Sequence, residues 1–304
     1  MSRTRLETVI PLRTPYTVLV DPCNLCNGGC WFCPSGNLKV IKLSGRVQQI
    51  MSMEMFARVL AGLSQFPDKI RVFRLYKEGE PMVNPNLVKM INLAKKSNFI
   101  ERVDTTTNGL LLSPSRNIPL VESGIDQINI SVNTVSEMFV KNVRDLFIRS
   151  RNTGCAIQVQ FIVENHTKVE IDSIINTYSK ISDNILPMHL QPNWPGFLDN
   201  SLDGAKYGHY GQPLNKKQVC PFIFYQMVIN SDGTISACVQ DWGHKLIMGR
   251  ISDGLVKVWG MNHLRKLHLA FEKDKTWICK QCKVLEHGTL DNIDQYADEL
   301  IKKI

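Results

Sequence analysis

The chain has 304 residues, the size of two average domains or of one large barrel with an appendage. At 43% hydrophobic and 21% charged it has ordinary globular composition, which excludes the disordered and low-complexity classes. The net charge of +8 comes from scattered basic residues and reads as solvated surface, so a nucleic-acid partner is not expected.

No apolar run approaches the roughly 18–20 residues of a membrane span. Met1–Arg13 lacks an apolar stretch before a small-residue cleavage site, so a cytoplasmic protein is expected. The first strand signal, Thr17–Val20, runs into Cys23-Asn-Leu-Cys26-Asn-Gly-Gly-Cys30-Trp-Phe-Cys33. A reducing compartment disfavours disulfides, and cysteines this close together point to metal ligation. Cys26, Cys30 and Cys33 can wrap three irons of one [4Fe–4S] cube and leave the fourth iron open. With Cys23 as a fourth ligand, the spacing equally allows zinc.

Further strands are predicted at Ile70–Tyr76, Val103–Thr107, Gln127–Val132, Ala156–Val163 and Ile185–Leu190. Helical stripes alternate with them. Asn84 before Pro85 reads as an N-cap leading to Leu87, Met90, Ile91 and Ala94. Val135, Met138, Phe139, Val143, Leu146 and Phe147 form a second stripe. Thr167-x-x-Glu170 reads as a capping box before Ile171, Ile174, Ile175 and Tyr178. Strands alternating with helices imply a parallel α/β architecture, and six such units make a partial (β/α)6 barrel, short of a closed eightfold one.

In the fifth strand Ile157, Val159, Phe161 and Val163 alternate with Gln158 and Gln160, so the glutamines are expected to face the lumen. The same parity turns Asn129, Ser131 and Asn133 inward, with Arg74, Tyr76, His189 and Gln191. A polar lumen suggests a ligand cavity.

Turn formers, among them Pro192, Pro195, Gly204 and Gly211, place a domain boundary within 192–215, giving residues 1–195 and 196–304. The second part offers Cys220, a strand over Phe222–Asn230, a turn at Asp232-Gly233, a strand ending at Cys238, a helix from Leu255 to Phe271, and Cys279-x2-Cys282. By spacing alone these four thiols suit a zinc ribbon or an iron–sulfur cluster.

Cys26-x3-Cys30-x-Phe32-Cys33 after the first strand resembles the signature of radical S-adenosylmethionine (SAM) enzymes. Glu78-Gly79-Glu80-Pro81 looks like that family's G-E-P segment. Thr107-Asn108-Gly109 and Ile130-Ser131-Val132-Asn133 sit where its later strands contact SAM. The resemblance implies an iron–sulfur cluster on Cys26, Cys30 and Cys33 that binds SAM. It also implies SAM contacts from Phe32, Gly79, Glu80, Pro81, Asn108, Ser131 and Asn133. The C-terminal cysteines, with Gly249-Arg250-Ile251 and Val258-Trp259-Gly260, look like the SPASM extension in its shorter twitch form. Gly288 stands where the full pattern has another cysteine. The implied second [4Fe–4S] cluster has Cys220, Cys238, Cys279 and Cys282 as ligands.

Such enzymes use one electron, from a donor such as flavodoxin or ferredoxin, to cleave SAM to a 5′-deoxyadenosyl radical that abstracts hydrogen from carbon. A fully ligated second cluster suits electron transfer. The resemblance therefore implies oxidation of a carbinol carbon in a small polar substrate such as an aminocyclitol or sugar. Arg74, Tyr76 and His189 are candidates for the base. Epimerisation needs a thiol hydrogen donor, Cys155 or Cys23. Peptide maturation, RNA-base modification and a zinc-stabilised binding module remain as alternatives.

Overall fold

The structure is a computed structural model that describes residues 4–192, 194–197, 207–272, 277–287 and 291–304. Gly204 and Gly288 lie outside the described residues. Strands β1 (Thr17–Val20), β2 (Val72–Leu75), β3 (Val103–Thr107), β4 (Gln127–Ser131), β5 (Ala156–Ile162) and β6 (Asn184–Met188) fall where the alternation predicts them. β7 (Gln226–Ile229), β8 (Thr234–Ser236) and β9 (Ile247–Arg250) complete one sheet of order β6-β5-β4-β3-β2-β1-β7-β8-β9. Every pair from β6 to β7 is parallel, and β8 and β9 are antiparallel additions. β6 and β9 are the edges, consistent with a partial barrel.

Helices α1 (Leu38–Ser44), α2 (Met53–Leu63), α3 (Leu87–Lys96), α4 (Pro114–Glu122), α5 (Glu137–Ser150) and α6 (Lys168–Tyr178) connect the parallel strands. The core lies between these helices and the sheet. In β5, Ile157, Val159 and Phe161 are buried in it while Gln158 and Gln160 stay half-buried on the other face, as the alternation requires. Burying each such apolar side chain contributes about 1.5–3 kcal/mol.

Leu87, Met90, Ile91 and Ala94 are buried as expected, but α3 starts from Asn86, not Asn84. The Asn84 amide is used elsewhere, with Nδ2 donating to the Pro22 and Met51 carbonyls at 2.8 and 3.1 Å. The capping box of Thr167 and Glu170 is present. α5 begins only at Glu137, so Val135 precedes it and is exposed; within it Met138 is exposed while Phe139, Val143 and Leu146 face the core.

The strand expected over Phe222–Asn230 is divided, because Phe222–Tyr225 forms a helical turn, α7, before β7. β7 lies beside β1, with Thr17 opposite Gln226 and Val20 opposite Ile229, so the sheet crosses the expected domain boundary. The expected helix over Leu255–Phe271 is two, α8 (Leu255–Trp259) and α9 (His263–Leu269), with Gly260 ending the first.

Candidate active site

A cavity of about 280 Å³ opens at the C-terminal ends of the parallel strands. Cys26, Cys30, Phe32 and Cys33 line it from the loop after β1, and Tyr76 through Glu80 from the loop after β2. Thr106, Thr107 and Asn108 follow from β3, Ser131, Val132 and Asn133 from β4, and Gln160, Phe161 and Ile162 from β5. Met188, Leu190, Gln191, Trp194 and His209 close the lining. Ligands of parallel α/β folds bind at this end of the strands.

Two glycines let the cysteine loop fold against its neighbours. A Cβ on Gly79 would lie 2.0 Å from the Cys23 carbonyl oxygen and 2.5 Å from that of Leu25, and one on Gly36 would lie 2.4 Å from the Cys30 carbonyl oxygen. The Glu80 N–H donates to the Leu25 carbonyl at 2.8 Å, stitching the G-E-P segment to the loop. The Cys26 sulfur accepts from the Gly28 N–H at 3.3 Å and from Asn108 Nδ2 at 3.8 Å.

Burial pushes the Cys26, Cys30 and Cys33 thiols up, and the neighbouring cysteines push Cys30 and Cys33 further the same way. The three cysteines line one cavity where bare thiolates are unfavourable, and a bound cation would offset that cost. Sulfur-only donors with N–H···S hydrogen bonds fit an iron–sulfur cluster.

Glu80 is buried, and burial pushes its carboxyl up. Its oxygens accept from Thr107 Oγ1 at 2.7 Å, Met82 N–H at 3.0 Å and Asn108 N–H at 2.7 Å, leaving the carboxylate held at the cavity wall. Ser131 Oγ accepts from Gln160 Nε2 at 3.0 Å. Pro81, expected among the SAM contacts, is buried outside the lining and opens a 3-10 turn after Glu80.

The expected catalytic residues separate. Tyr76 lines the cavity, and burial pushes its phenol up, so it stays protonated. Arg74 lies deeper along the same strand face, its Nε 3.6 Å from Asp104. A guanidinium stays protonated and cannot serve as a base. His189 is outside the lining, with Nδ1 2.8 Å from Glu164 Oε1. Cys155 is buried just before β5, at the end opposite the cavity, and burial pushes its thiol up to about 12. Cys23 is fully buried outside the lining, its thiol pushed up to about 11 by burial.

His209 is the residue that sequence reasoning missed. Its Nδ1 lies 3.1 Å from the His189 carbonyl oxygen, and a carbonyl only accepts, so Nδ1 carries the proton and Nε2 keeps its lone pair. Burial holds the ring below the ordinary histidine range, which favours this neutral form. His209 sits between β6 and β7, in a turn-rich segment where no alternation marks it.

The thiols of the second cysteine group act on one another electrostatically. Cys220 precedes α7, Cys238 follows β8, Cys279 lies in the helix Trp277–Gln281, and Cys282 just after it. Burial pushes the Cys220 and Cys238 thiols far up. Cys282 and Cys279 act on both in the same direction, and Cys220 on Cys238. The Cys238 sulfur accepts from the Gln240 N–H at 3.5 Å. Among the described residues, no three His, Cys, Asp or Glu side chains gather tightly enough to hold a single metal ion. No helix among them is long and apolar enough to cross a membrane.

Residues 20–154 match the model of the radical SAM superfamily, and residues 220–283 match that of an iron-sulfur cluster-binding domain, SPASM. GTP 3′,8-cyclase of Chlorobaculum tepidum is 30% identical over 125 residues, 40% of this chain and 34% of that one, so the chain spans about a third of that relative's length. The S-adenosyl-L-methionine-dependent 2-deoxy-scyllo-inosamine dehydrogenase of Niallia circulans is 22% identical over 280 residues, covering 90% of this chain and 95% of that one. Among solved structures, BtrN in complex with AdoMet and 2-DOIA superposes with a TM-score of 0.63 at 17% identity, covering 92% of this chain and 97% of that chain. That likeness shows the fold.

Proposed function

We propose that this chain, a radical SAM protein with a C-terminal SPASM domain, is a dehydrogenase that oxidises a carbinol carbon of a small polyhydroxylated substrate such as an aminocyclitol. The observation that carries the reading is the convergence of Cys26, Cys30 and Cys33 with Glu80, Ser131 and Asn133 around one cavity. A second, separate group of buried cysteines completes it. The dehydrogenase relative aligns along 90% of the chain, whereas the cyclase of Chlorobaculum tepidum aligns along 40%, which favours the dehydrogenase over nucleotide cyclisation.

Cys26, Cys30 and Cys33 would hold one [4Fe–4S] cluster, and Cys220, Cys238, Cys279 and Cys282 another. With SAM bound, the first would supply the one-electron reduction that cleaves SAM and so the means of removing hydrogen from a substrate carbon. Glu80 would hold the SAM ammonium. Ser131 and Asn133 would take the ribose hydroxyls, and the backbone at Phe32 would pack near the adenine. Tyr76 donates a hydrogen bond to the substrate and Gln160 and Gln191 orient it, since all three line the cavity. His209, neutral with Nε2 open, takes the hydroxyl proton, and the electron left on the substrate carbon would pass to the cluster of Cys220, Cys238, Cys279 and Cys282, giving the ketone. A one-electron carrier such as flavodoxin or ferredoxin would reduce the protein.

Anaerobic reconstitution followed by SAM, dithionite and 2-deoxy-scyllo-inosamine tests this reading. Expected are about eight irons per chain, 5′-deoxyadenosine, and a ketone product. A protein that takes zinc, stays colourless and leaves SAM intact would refute it.

A further inference from the structure

Glu78 lines the same cavity next to the Gly79 and Glu80 expected to contact SAM, yet its side chain is only 1% exposed and touches three cationic or ionisable residues. Its Oε2 accepts from Arg46 Nη1 at 2.7 Å, and its Oε1 from Lys77 Nζ. His244 Nε2 lies 3.2 and 3.1 Å from the two oxygens.

Each partner reaches further. Arg46 donates to the Asn24 carbonyl at 3.4 Å and lies 3.3 Å from the Ser35 hydroxyl, and these two residues bracket Cys26 to Cys33. It also donates to the Trp242 carbonyl at 3.0 Å. Lys77 donates to Asn230 Oδ1 at 2.8 Å and to the Asp241 carbonyl at 3.3 Å. Asp241, Trp242 and His244 all belong to the loop after Cys238. The Asp241 carboxylate fixes that loop by accepting from the Lys245 and Leu246 N–H groups at 2.7 and 2.8 Å.

Buried ion pairs of this kind seldom stabilise a fold, because desolvation offsets the attraction, and their best-attested use is to set a register. The register here is that between the two cysteine regions, which lie about 200 residues apart in the chain and meet at this carboxylate.

We infer that Glu78 is a positioning residue. Through Arg46, Lys77 and His244 it holds the loop of Cys26 to Cys33 and the loop after Cys238 in one fixed relation. The clamp itself stands on these contacts alone. Its consequence, a constant separation between two electron-transfer sites, rests on the function proposed above.

The test uses the full chain as purified, with Glu78→Gln removing the charge and Arg46→Lys replacing the guanidinium fork with a single ammonium. Hydrogen–deuterium exchange is followed in residues 24–36, residues 240–246 and, as reference, β3 and β4. Both loops are expected to exchange about tenfold faster in each variant, with the reference unchanged. Acceleration of one loop alone, of neither, or of all segments equally would overturn the inference. In reconstituted protein, the magnetic broadening between the two reduced clusters in EPR is expected to change in the same variants, and unaltered broadening would also overturn it. Failure of the wild-type chain to cleave SAM would count against the proposed function and leave the exchange result standing.

Discussion

Replacing Asp21 by Asn should make the protein more stable at alkaline pH and remove part of its pH dependence. Asp21 follows β1, is fully buried, and no side chain hydrogen-bonds its carboxylate. Burial first, then the negative charge of Glu78, pushes its carboxyl from the ordinary 3.8 to about 7, with Lys77 and Arg46 pulling less strongly the other way. A carboxyl raised in the folded state binds its proton more tightly there than in the unfolded chain. Its stabilising contribution is therefore complete below pH 4 and is lost as pH rises through about 7. Relative to the acid limit, linkage puts the loss at about 1.7 kcal/mol by pH 5 and about 4 kcal/mol by pH 8. Asparagine keeps the shape and never ionises. Urea denaturation of both proteins at matched metal content, at pH 5 and pH 8, reads the effect. The advantage of Asp21→Asn should be larger at pH 8 by about 2.5 kcal/mol. An advantage that is the same at both pH values would show that Asp21 is not held protonated, and the description of this buried cluster would be wrong.

Gly79→Ala places a Cβ against two backbone carbonyls that cannot rotate away, so it should cost at least about 2 kcal/mol and lower iron uptake, measured by iron analysis after reconstitution. His209→Asn should abolish the ketone product while 5′-deoxyadenosine still forms. In the wild-type enzyme the acid limb of the rate profile should lie below pH 6.5, because burial lowers this histidine. Parallel loss of both products in the variant would remove His209 as the base. Cys220→Ala should reduce iron content from about eight to about four per chain. Cys155→Ala should leave turnover intact at a stability cost of about 1 kcal/mol, whereas loss of turnover would revive a cysteine-donor epimerase.

The parts of the fold readable in advance are those written locally. The period of two in β5 separates Ile157 and Val159 from Gln158 and Gln160 without reference to any other strand. The capping box at Thr167 and Glu170 spans four residues. The cysteine loop and the G-E-P segment are likewise contiguous, and they meet because parallel βα units deliver every such loop to the same end of the sheet. Where a local signal had a competitor it failed. Asn84 has the right neighbour for an N-cap, but its amide holds the Pro22 and Met51 carbonyls instead. Gly260 divides a helix that periodicity alone would run through.

Composition, spacing and alternation determined the parallel architecture, the two cysteine groups and most of the cavity wall. Each of those depends on residues a few positions apart, whose directions follow from backbone geometry. Only the tertiary structure decided that β7 lies beside β1, that His209 faces the cavity in place of His189, and that Glu78 meets Arg46 and His244. Those relations join segments many residues apart, and they are set by which surfaces remain to be buried once every local element has formed.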